Sequence, residues 1–167
     1  MINLQNKTPN LLVIGDLMVD QYLWGECDRI SPEAPIQIIN VDKENKLLGG
    51  AGNVVNNLKA LGAKVDVISV VGDCETSTEL KELLNDIEVN TKYLVTQKNR
   101  ITSKKSRIIA AQQQVVRYDR ESIDEISVKS QELILDSFMK IVANYEAVLL
   151  SDYGKGVFTN KLTQSLI

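Results

Sequence analysis

The sequence contains no histidine, and it is poor in cysteine, proline and tryptophan. Among its 167 residues are two cysteines, three prolines and one tryptophan. Without histidine, neither a Ser-His-Asp triad nor a Cys-His pair can form, and zinc loses its commonest nitrogen ligand. Cys27 and Cys74 form no Cys-x-x-Cys pair, which predicts two buried, reduced thiols rather than a disulfide framework. Any chemistry must therefore use carboxylates, amines, guanidinium groups, backbone amides or a magnesium ion held by oxygen ligands.

Long apolar runs and a strong charge imbalance are absent as well. No stretch approaches the roughly 18 apolar residues that a membrane span requires. Residues 1–10 are polar and lack the charged-then-apolar build of a signal peptide. The net charge of −3 creates no field that would attract nucleic acid or an anionic membrane. We therefore predict a cytoplasmic protein that binds neither nucleic acid nor membrane.

Short apolar segments alternate with helical patterns along the chain. Three segments have the continuous apolar character of buried parallel strands: residues 11–15, 64–71 and 147–150. Four others carry apolar residues at helical spacing: residues 51–61, 76–84, 127–143 and 159–167. Gly62 is expected to end the first helix, and Thr76 or Ser77 to cap the second. This order predicts an α/β fold whose parallel sheet is covered by helices on both faces.

Two polar β segments do not fit that core. Residues 20–41 include an alternating stretch after Pro35, which predicts an exposed or edge strand. Residues 101–119 are rich in β-formers and polar side chains, which predicts two strands of a half-solvated antiparallel ribbon. Together the segments predict a small separate sheet that lies over the ends of the parallel strands as a lid.

Acidic residues follow the predicted parallel strands, at the edge where open α/β sheets bind ligands. Asp16, Asp73 and Asp152 each come directly after such a strand. Asp16 and Asp20 flank the turn that leaves the first strand, and two carboxylates facing one cleft would accept hydrogen bonds from the neighbouring hydroxyls of a sugar. The alternative is that Asp16 caps a turn and Asp20 is solvated.

Small residues at the start of the first predicted helix would let a ligand approach the backbone. The run Gly49-Gly50-Ala51-Gly52-Asn53 offers free amides, and the Asn53 side chain both donates and accepts hydrogen bonds. It is neither a Walker A loop nor a dinucleotide fingerprint, because no Lys-Ser/Thr follows it and it does not follow the first strand. Close helix packing would explain the glycines equally well.

Cations cluster in the second polar segment and after the last predicted strand. Lys105 and Arg107 lie two residues apart on a predicted strand, so they share a face, as do Arg117 and Asp119 on the next. Such cations beneath a lid would hold an anion such as a phosphate. Lys155, within Ser-Asp-Tyr-Gly-Lys-Gly, could stabilise charge on phosphate oxygens. The alternatives are a solvated ribbon and a surface lysine.

These features occur in an order that resembles the ribokinase-like (PfkB) carbohydrate kinases and, within them, the heptose 7-phosphate kinases. The segments that carry the resemblance span nearly the whole chain. They are GDLMVDQYLWG (15–25), RISPEAPIQIINV (29–41), GGAGNVVNNLKALGA (49–63), RITSKKSR (100–107), QQVVRYD (113–119) and LLSDYGKG (149–156). The glycine-asparagine run is typical of the wider superfamily, whereas RISPEAP and QQVVRYD are more specific to the heptose kinases.

The resemblance implies a three-layer α/β/α domain with a parallel central sheet and a β lid that also joins two subunits. It implies transfer of the γ-phosphate of ATP, with Mg²⁺, to the anomeric hydroxyl of D-glycero-D-manno-heptose 7-phosphate, in ADP-heptose synthesis for lipopolysaccharide. The implied sugar-binding set is Asp16, Asp20, Gly49, Gly50 and Asn53. The implied phosphate-facing lid residues are Lys105, Arg107 and Arg117, with Asp152 and Lys155 near the phosphoryl-transfer region.

One departure from the family pattern concerns catalysis. The family's second signature is a Gly-Ala-Gly-Asp run whose amides form an anion hole and whose aspartate is the base, and these 167 residues do not contain it. We therefore expect residues 1–167 to be the N-terminal part of a kinase domain, truncated on the C-terminal side, with the ATP-binding half and the base beyond Ile167. We predict no catalytic residue, no protein metal site and no kinase turnover in this chain alone. The alternatives are a kinase for another phosphosugar and a non-catalytic dimerising β-clasp.

Overall fold

The structure, a computed structural model, describes residues 8–167, so most of the polar N-terminal segment lies outside the described residues. The strands are β1 (Asn10–Gly15), β2 (Leu17–Ile30), β3 (Gln37–Gly50), β4 (Lys64–Gly72), β5 (Leu94–Gln97), β6 (Ser103–Ala110), β7 (Gln113–Arg120) and β8 (Ala147–Ser151). The helices are α1 (Ala51–Ala60), α2 (Glu75–Asp86), α3 (Val128–Ile141) and α4 (Asn160–Leu166), with a short 3-10 turn at Val142–Asn144.

The main sheet has the strand order β5-β4-β1-β8, and its neighbouring strands are parallel. Its strands are apolar on both faces because helices cover both. On one face Val13 and Val67 pack with Val55 of α1 and Leu80 of α2. On the other face residues of α3 and α4 pack against the sheet. This arrangement confirms the predicted three-layer α/β/α fold. The short, half-exposed strand β5 was not predicted, because four residues carry too little periodicity.

The second sheet has the strand order β3-β2-β6-β7 and contains the two polar β segments. Strands β2 and β6 are parallel, and the outer pairs β2–β3 and β6–β7 are antiparallel. The ribbon at residues 101–119 forms as predicted. Strand β3 is longer than predicted, because the charged stretch between Val41 and Leu47 continues along an exposed edge strand, where polar side chains face solvent.

The chain crosses between the two sheets at Asp16 and again at Gly50. Strand β1 ends at Gly15 and β2 begins at Leu17, so Asp16 is the single residue between the sheets. The chain returns at Gly50, where φ is 55° and α1 begins directly afterwards. A side chain at Gly50 would meet both this left-handed backbone and the Asp16 carbonyl oxygen, 2.5 Å from an added Cβ. The crossing therefore brings the glycine run beside the carboxyl end of β1.

Two local predictions need correction. Helix α1 ends before Gly62 (φ 90°) as predicted, but the N-cap of α2 is Cys74 rather than Thr76 or Ser77. Ser77 faces inward instead, and its hydroxyl donates to the Gly72 carbonyl at 2.7 Å. The thiols are also less buried than predicted, since Cys27 is exposed on β2 and Cys74 is partly buried.

Within residues 8–167, no helix has the length and apolar character of a membrane span.

Candidate functional site

The carboxylate of Asp16 is buried beneath the loop that follows β8. Asp16 is 1% exposed. Its oxygens accept hydrogen bonds from the backbone amides of Tyr153 (2.8 Å), Lys155 (3.1 Å) and Val157 (3.2 Å). The carboxylate is thus used by the protein's own backbone and faces the loop rather than an open cleft. This geometry favours the turn-capping interpretation of Asp16 over the sugar-binding one.

Asp20 lies near the N-terminal end of β2 in the second sheet, and its side chain is 21% exposed. It forms a 2.6 Å ion pair with Arg107 of β6. Gly49, on the neighbouring strand β3, has its α-carbon against this carboxylate, and an added Cβ would overlap Asp20 Oδ2. The structure therefore places Asp20, Gly49 and Arg107 together, whereas Gly50 lies against the Asp16 carbonyl and Met18. Asp20 keeps acceptor capacity beyond the single Arg107 contact, since a carboxylate has about four lone-pair sites.

Arg107 is held by Asp20 below and by an aromatic ring beside it. Its guanidinium carbon lies 5.1 Å from the centroid of the Tyr22 ring, which in turn stacks on Trp24. Partial burial lowers the pKa of Arg107, but the hydrogen bond and charge of Asp20 outweigh it, so the pKa is raised. Arg107 is therefore a fixed positive charge with its orientation set by two neighbours.

Lys105, Arg117 and Asp119 form a second charged group on the same sheet. Lys105 pairs with Asp119 in the β6–β7 register, and its ammonium donates to Asp119 Oδ2 at 2.7 Å. Arg117 reaches the same carboxylate at 3.0 Å. The hydrogen bond from Lys105 is the main cause that lowers the pKa of Asp119. The predicted Arg117–Asp119 pair is therefore present, with Lys105 as a further partner.

Glu121 connects this group to the loop after β8, and the sequence analysis missed it. Its Oε1 accepts a hydrogen bond from the Lys155 ammonium at 2.8 Å, and its Oε2 lies 3.6 Å from the Lys105 ammonium. Burial raises the pKa of Glu121, but the two lysines outweigh it, so the pKa is lowered. The period-two series Arg117, Asp119, Glu121 was the signal that could have identified it.

Lys155 is fixed at three points. Its amide donates to Asp16 at 3.1 Å, its ammonium donates to Glu121, and its carbonyl accepts from the guanidinium of Arg100. Arg100 is 6% exposed and also donates to the Asp124 carbonyl at 3.0 Å. Burial lowers the pKa of Arg100, and the charge of Asp16 partly offsets this. A lone arginine before a strand gives no sequence signal, so Arg100 could not be predicted.

Two predicted residues lie apart from this group. Asn53 is exposed on α1 and lines a shallow groove between α1 and α2 with Lys46, Leu83 and Asp86, and the lining includes neither Asp20 nor Lys105. Asp152 is exposed, and its carboxylate accepts a 2.8 Å hydrogen bond from the Gly154 amide. The side chains of residues 8–167 contain no group of three His, Cys, Asp or Glu placed to hold a metal ion. We therefore assign no Mg²⁺ ligand here.

The gathered residues have the chemistry of a site for an anionic polyol. Asp20 offers carboxylate oxygens to hydroxyl groups, and Lys105, Arg107 and Lys155 carry charges suited to a phosphate. Asp20, Lys105 and Arg107 lie on the second sheet, and Glu121 connects Lys105 to Lys155 in the loop after β8 of the main sheet.

Comparison with known proteins agrees with this chemistry. Residues 8–165 match the family described as pfkB family carbohydrate kinase. The chain is 60% identical to the Bifunctional protein HldE of Aliarcobacter butzleri over 97% of this chain and 34% of that protein. It is 58% identical to the Bifunctional protein HldE of Sulfurimonas denitrificans over 98% of this chain and 34% of that protein. The chain thus spans about a third of the length of these relatives.

Solved structures support the fold at lower identity. A carbohydrate kinase from Agrobacterium tumefaciens aligns with a TM-score of 0.60 and 18% identity, covering 86% of this chain and 45% of that one. Arabidopsis thaliana ribokinase, complexed with ribose and ATP, aligns with a TM-score of 0.56 and 18% identity, covering 86% and 46%. These likenesses show a ribokinase-like fold. The family match over residues 8–165 shows that the chain belongs to the PfkB family of carbohydrate kinases.

Proposed function

We propose that this chain forms the substrate-binding and lid part of a kinase for D-glycero-D-manno-heptose 7-phosphate, which is phosphorylated at C1. The observation that carries the proposal is the Asp20–Arg107 pair with Lys105 beside it, because this places a hydroxyl acceptor and two cations on one surface. Relatives named Bifunctional protein HldE match nearly the whole chain and support the same assignment.

Substrate binding divides between the two ends of the sugar phosphate. Asp20 accepts hydrogen bonds from sugar hydroxyls, and Gly49 leaves the room beside it that a larger residue would fill. The cations at Lys105, Arg107 and Arg117 bind the phosphate end. Charge-assisted hydrogen bonds contribute about 1.5–3 kcal/mol each, so two or three of them outweigh the neutral hydroxyl contacts. Affinity should therefore depend more on the phosphate than on the sugar.

The phosphoryl donor in this proposal is ATP. Bound ATP with Mg²⁺ supplies the γ-phosphoryl group that is transferred to the C1 hydroxyl. The residues described here hold the acceptor sugar, and the Gly-Ala-Gly-Asp run that would supply the base is not in the sequence. The chain spans about a third of the length of the HldE relatives, so the kinase activity of the whole protein is part of what we propose.

Thermal shift with a panel of ligands tests the substrate. A ligand that binds the folded state stabilises it by about 2.7 kcal/mol at 100 times its Kd. We expect heptose 7-phosphate to raise Tm more than fructose 6-phosphate, and heptose without phosphate to raise it least. A larger shift with fructose 6-phosphate would instead assign the site to another phosphosugar, and no shift with any sugar phosphate would contradict the proposal.

A second role of the same sheet is supported by its exposed apolar side chains. Exposed side chains on or beside its strands include Ile30, Ile36, Val41, Val115 and Tyr118. A surface of this kind is typical of a protein–protein contact. We propose that the second sheet also joins two copies of the chain, in addition to covering the sugar.

A further inference from the structure

We propose that Glu121 is a positioning residue that holds Lys105 and Lys155 as a two-lysine site for the phosphate of the substrate. This inference rests on the proposed function, because it names the groups that would receive the phosphate of a sugar phosphate. Glu121 itself would not touch the substrate. It would set the spacing and direction of the two ammonium groups that do.

The geometry around Glu121 is that of a carboxylate between two cations. One oxygen accepts the Lys155 ammonium at 2.8 Å, and the other faces the Lys105 ammonium at 3.6 Å. The second oxygen is buried and has no hydrogen-bond partner among the described residues. The glutamate side chain is 17% exposed and the two lysine side chains are 14% and 18% exposed, so solvent screens them weakly. Glu121 therefore holds Lys155 by a hydrogen bond and lies within ion-pair distance of Lys105, which also donates to Asp119 at 2.7 Å.

The two lysines come from different parts of the fold. Lys105 belongs to β6 of the second sheet, and Lys155 belongs to the loop after β8 of the main sheet. The backbone of Lys155 is already anchored, because its amide donates to Asp16 and its carbonyl accepts from Arg100. Glu121, directly after β7, supplies the remaining contact, which fixes the side chain. It thereby ties the lid sheet to the edge of the main sheet.

Both lysines keep donors for a ligand. An ammonium has three N–H donors, and among residues 8–167 each lysine ammonium makes one hydrogen bond, Lys105 to Asp119 and Lys155 to Glu121. A phosphate can therefore bind both lysines without displacing Glu121. We therefore expect the removal of Glu121 to weaken phosphate binding, because the ammonium groups of Lys105 and Lys155 lose their fixed positions. We do not expect the removal of its negative charge to strengthen binding.

Glu79 provides a matched control on the opposite face of the same sheet. It also bridges two lysines, Lys46 at 2.8 Å and Lys104 at 2.9 Å, and its side chain is 14% exposed. Glu79 belongs to α2, and its partner Lys104 points to the opposite face of β6 from Lys105, because successive strand residues alternate between faces. A substitution at Glu79 therefore removes an equivalent buried ion pair without touching the proposed phosphate site.

The experiment compares Glu121→Ala, Glu121→Gln and Glu79→Ala with the unsubstituted protein. Binding of heptose 7-phosphate, inorganic phosphate and unphosphorylated heptose is measured by calorimetry, and Tm records folding. We expect E121A to weaken the binding of heptose 7-phosphate and of inorganic phosphate about tenfold, which corresponds to the loss of one charge-assisted contact between a lysine and the phosphate. The binding of unphosphorylated heptose should be unchanged. E121Q retains one acceptor oxygen for Lys155 and should lie between E121A and the unsubstituted protein. E79A should lower Tm and leave all three affinities unchanged.

Three results would overturn the inference: phosphate affinity that is unchanged or increased in E121A, an equal loss in E79A, or an equal loss for unphosphorylated heptose. The proposed function fails separately. If the protein binds inorganic phosphate in a Glu121-dependent way but does not bind heptose 7-phosphate, the two-lysine site stands and the heptose assignment falls.

Discussion

The Asp20 carboxylate accepts a 2.6 Å hydrogen bond from Arg107, across the parallel strands β2 and β6. Asp20 and Arg107 are offset by two residues in the strand register, since Asp20 lies opposite Lys105 and Tyr22 lies opposite Arg107. The acid is thus placed between two cations of the neighbouring strand. The relationship links the residue proposed to bind sugar hydroxyls directly to the residues proposed to bind phosphate.

Asp20→Asn should weaken sugar phosphate binding about tenfold or more, because it removes a charged acceptor of hydroxyl groups and leaves Arg107 without its counter-charge. The single tryptophan, Trp24, stacks on Tyr22 near Arg107, so its fluorescence reports the binding. Asp42→Asn, at an exposed position of β3, is the control and should bind as the unsubstituted protein does. Equal affinity of the Asp20 and Asp42 variants would remove Asp20 from the site.

Gly49→Ala should reduce sugar affinity, since the added methyl group overlaps the Asp20 carboxylate and pushes it from its position. Gly62→Ala is a suitable comparison, because its strain arises only from a backbone φ of 90° and nothing lies within 4 Å of the added Cβ. That variant should lose about 1 kcal/mol of stability and keep its affinity. Urea unfolding and calorimetry separate the two effects, and an unchanged affinity in Gly49→Ala would show that the Asp20 position does not matter.

Asp16→Ala should destabilise the fold by about 3–5 kcal/mol, because three buried backbone amides lose their acceptor together. Asp152→Ala is the matched control, as its exposed carboxylate serves a single amide, and it should cost under about 1 kcal/mol. Denaturant midpoints measure both. Nearly full stability in Asp16→Ala, with loss of sugar binding alone, would instead support the sugar-binding interpretation of Asp16.

Stability should fall steeply in acid. Burial raises the pKa values of Glu79 and Glu121, but their lysine partners outweigh it and set both values below the ordinary 4.5. Because the unfolded chain takes up protons first as the pH falls, this stabilisation is complete above about pH 4.5 and is lost as the pH drops through the folded pKa values. The double variant Glu79→Gln/Glu121→Gln should show a shallower loss of Tm below pH 4.5. An identical pH profile would mean that the two carboxylates do not contribute.

The proposed contact between two copies predicts a dimer in light scattering. Replacing Val41 of β3 and Tyr118 of β7 by glutamate should shift the protein toward a monomer, since both side chains are about half exposed on the second sheet. Leu61→Glu, at an equally apolar but unrelated surface position after α1, should leave the mass unchanged. A monomer before any substitution would contradict the contact.

The sequence predicted the fold well because its main strands are buried on both faces. A short apolar run such as residues 11–15, ended by Gly15, favours a buried strand covered by helices. The exposed edge strand β3, in contrast, has no burial pattern that marks where it ends. The charged partners on one strand were also predictable, since Lys105 and Arg107 share a face by alternation alone.

Contacts between distant segments could not be predicted from local patterns. The contacts of Asp16 depend on a loop more than 130 residues away, and the groove beside Asn53 depends on how α1 packs beside α2. Arg100 and Glu121 act on Lys155 across the two sheets. No local pattern encodes such pairings, so spacing identified the charged residues without identifying their partners.

Calorimetric titration with D-glycero-D-manno-heptose 7-phosphate and with the same heptose lacking its phosphate is the most direct check of the proposed site. If Asp20 holds the sugar while Lys105 and Arg107 hold the phosphate, the phosphorylated ligand should bind at least about a hundredfold more tightly, which is the effect of two charge-assisted contacts. Equal affinities for the two ligands, or no heat from either, would contradict the account.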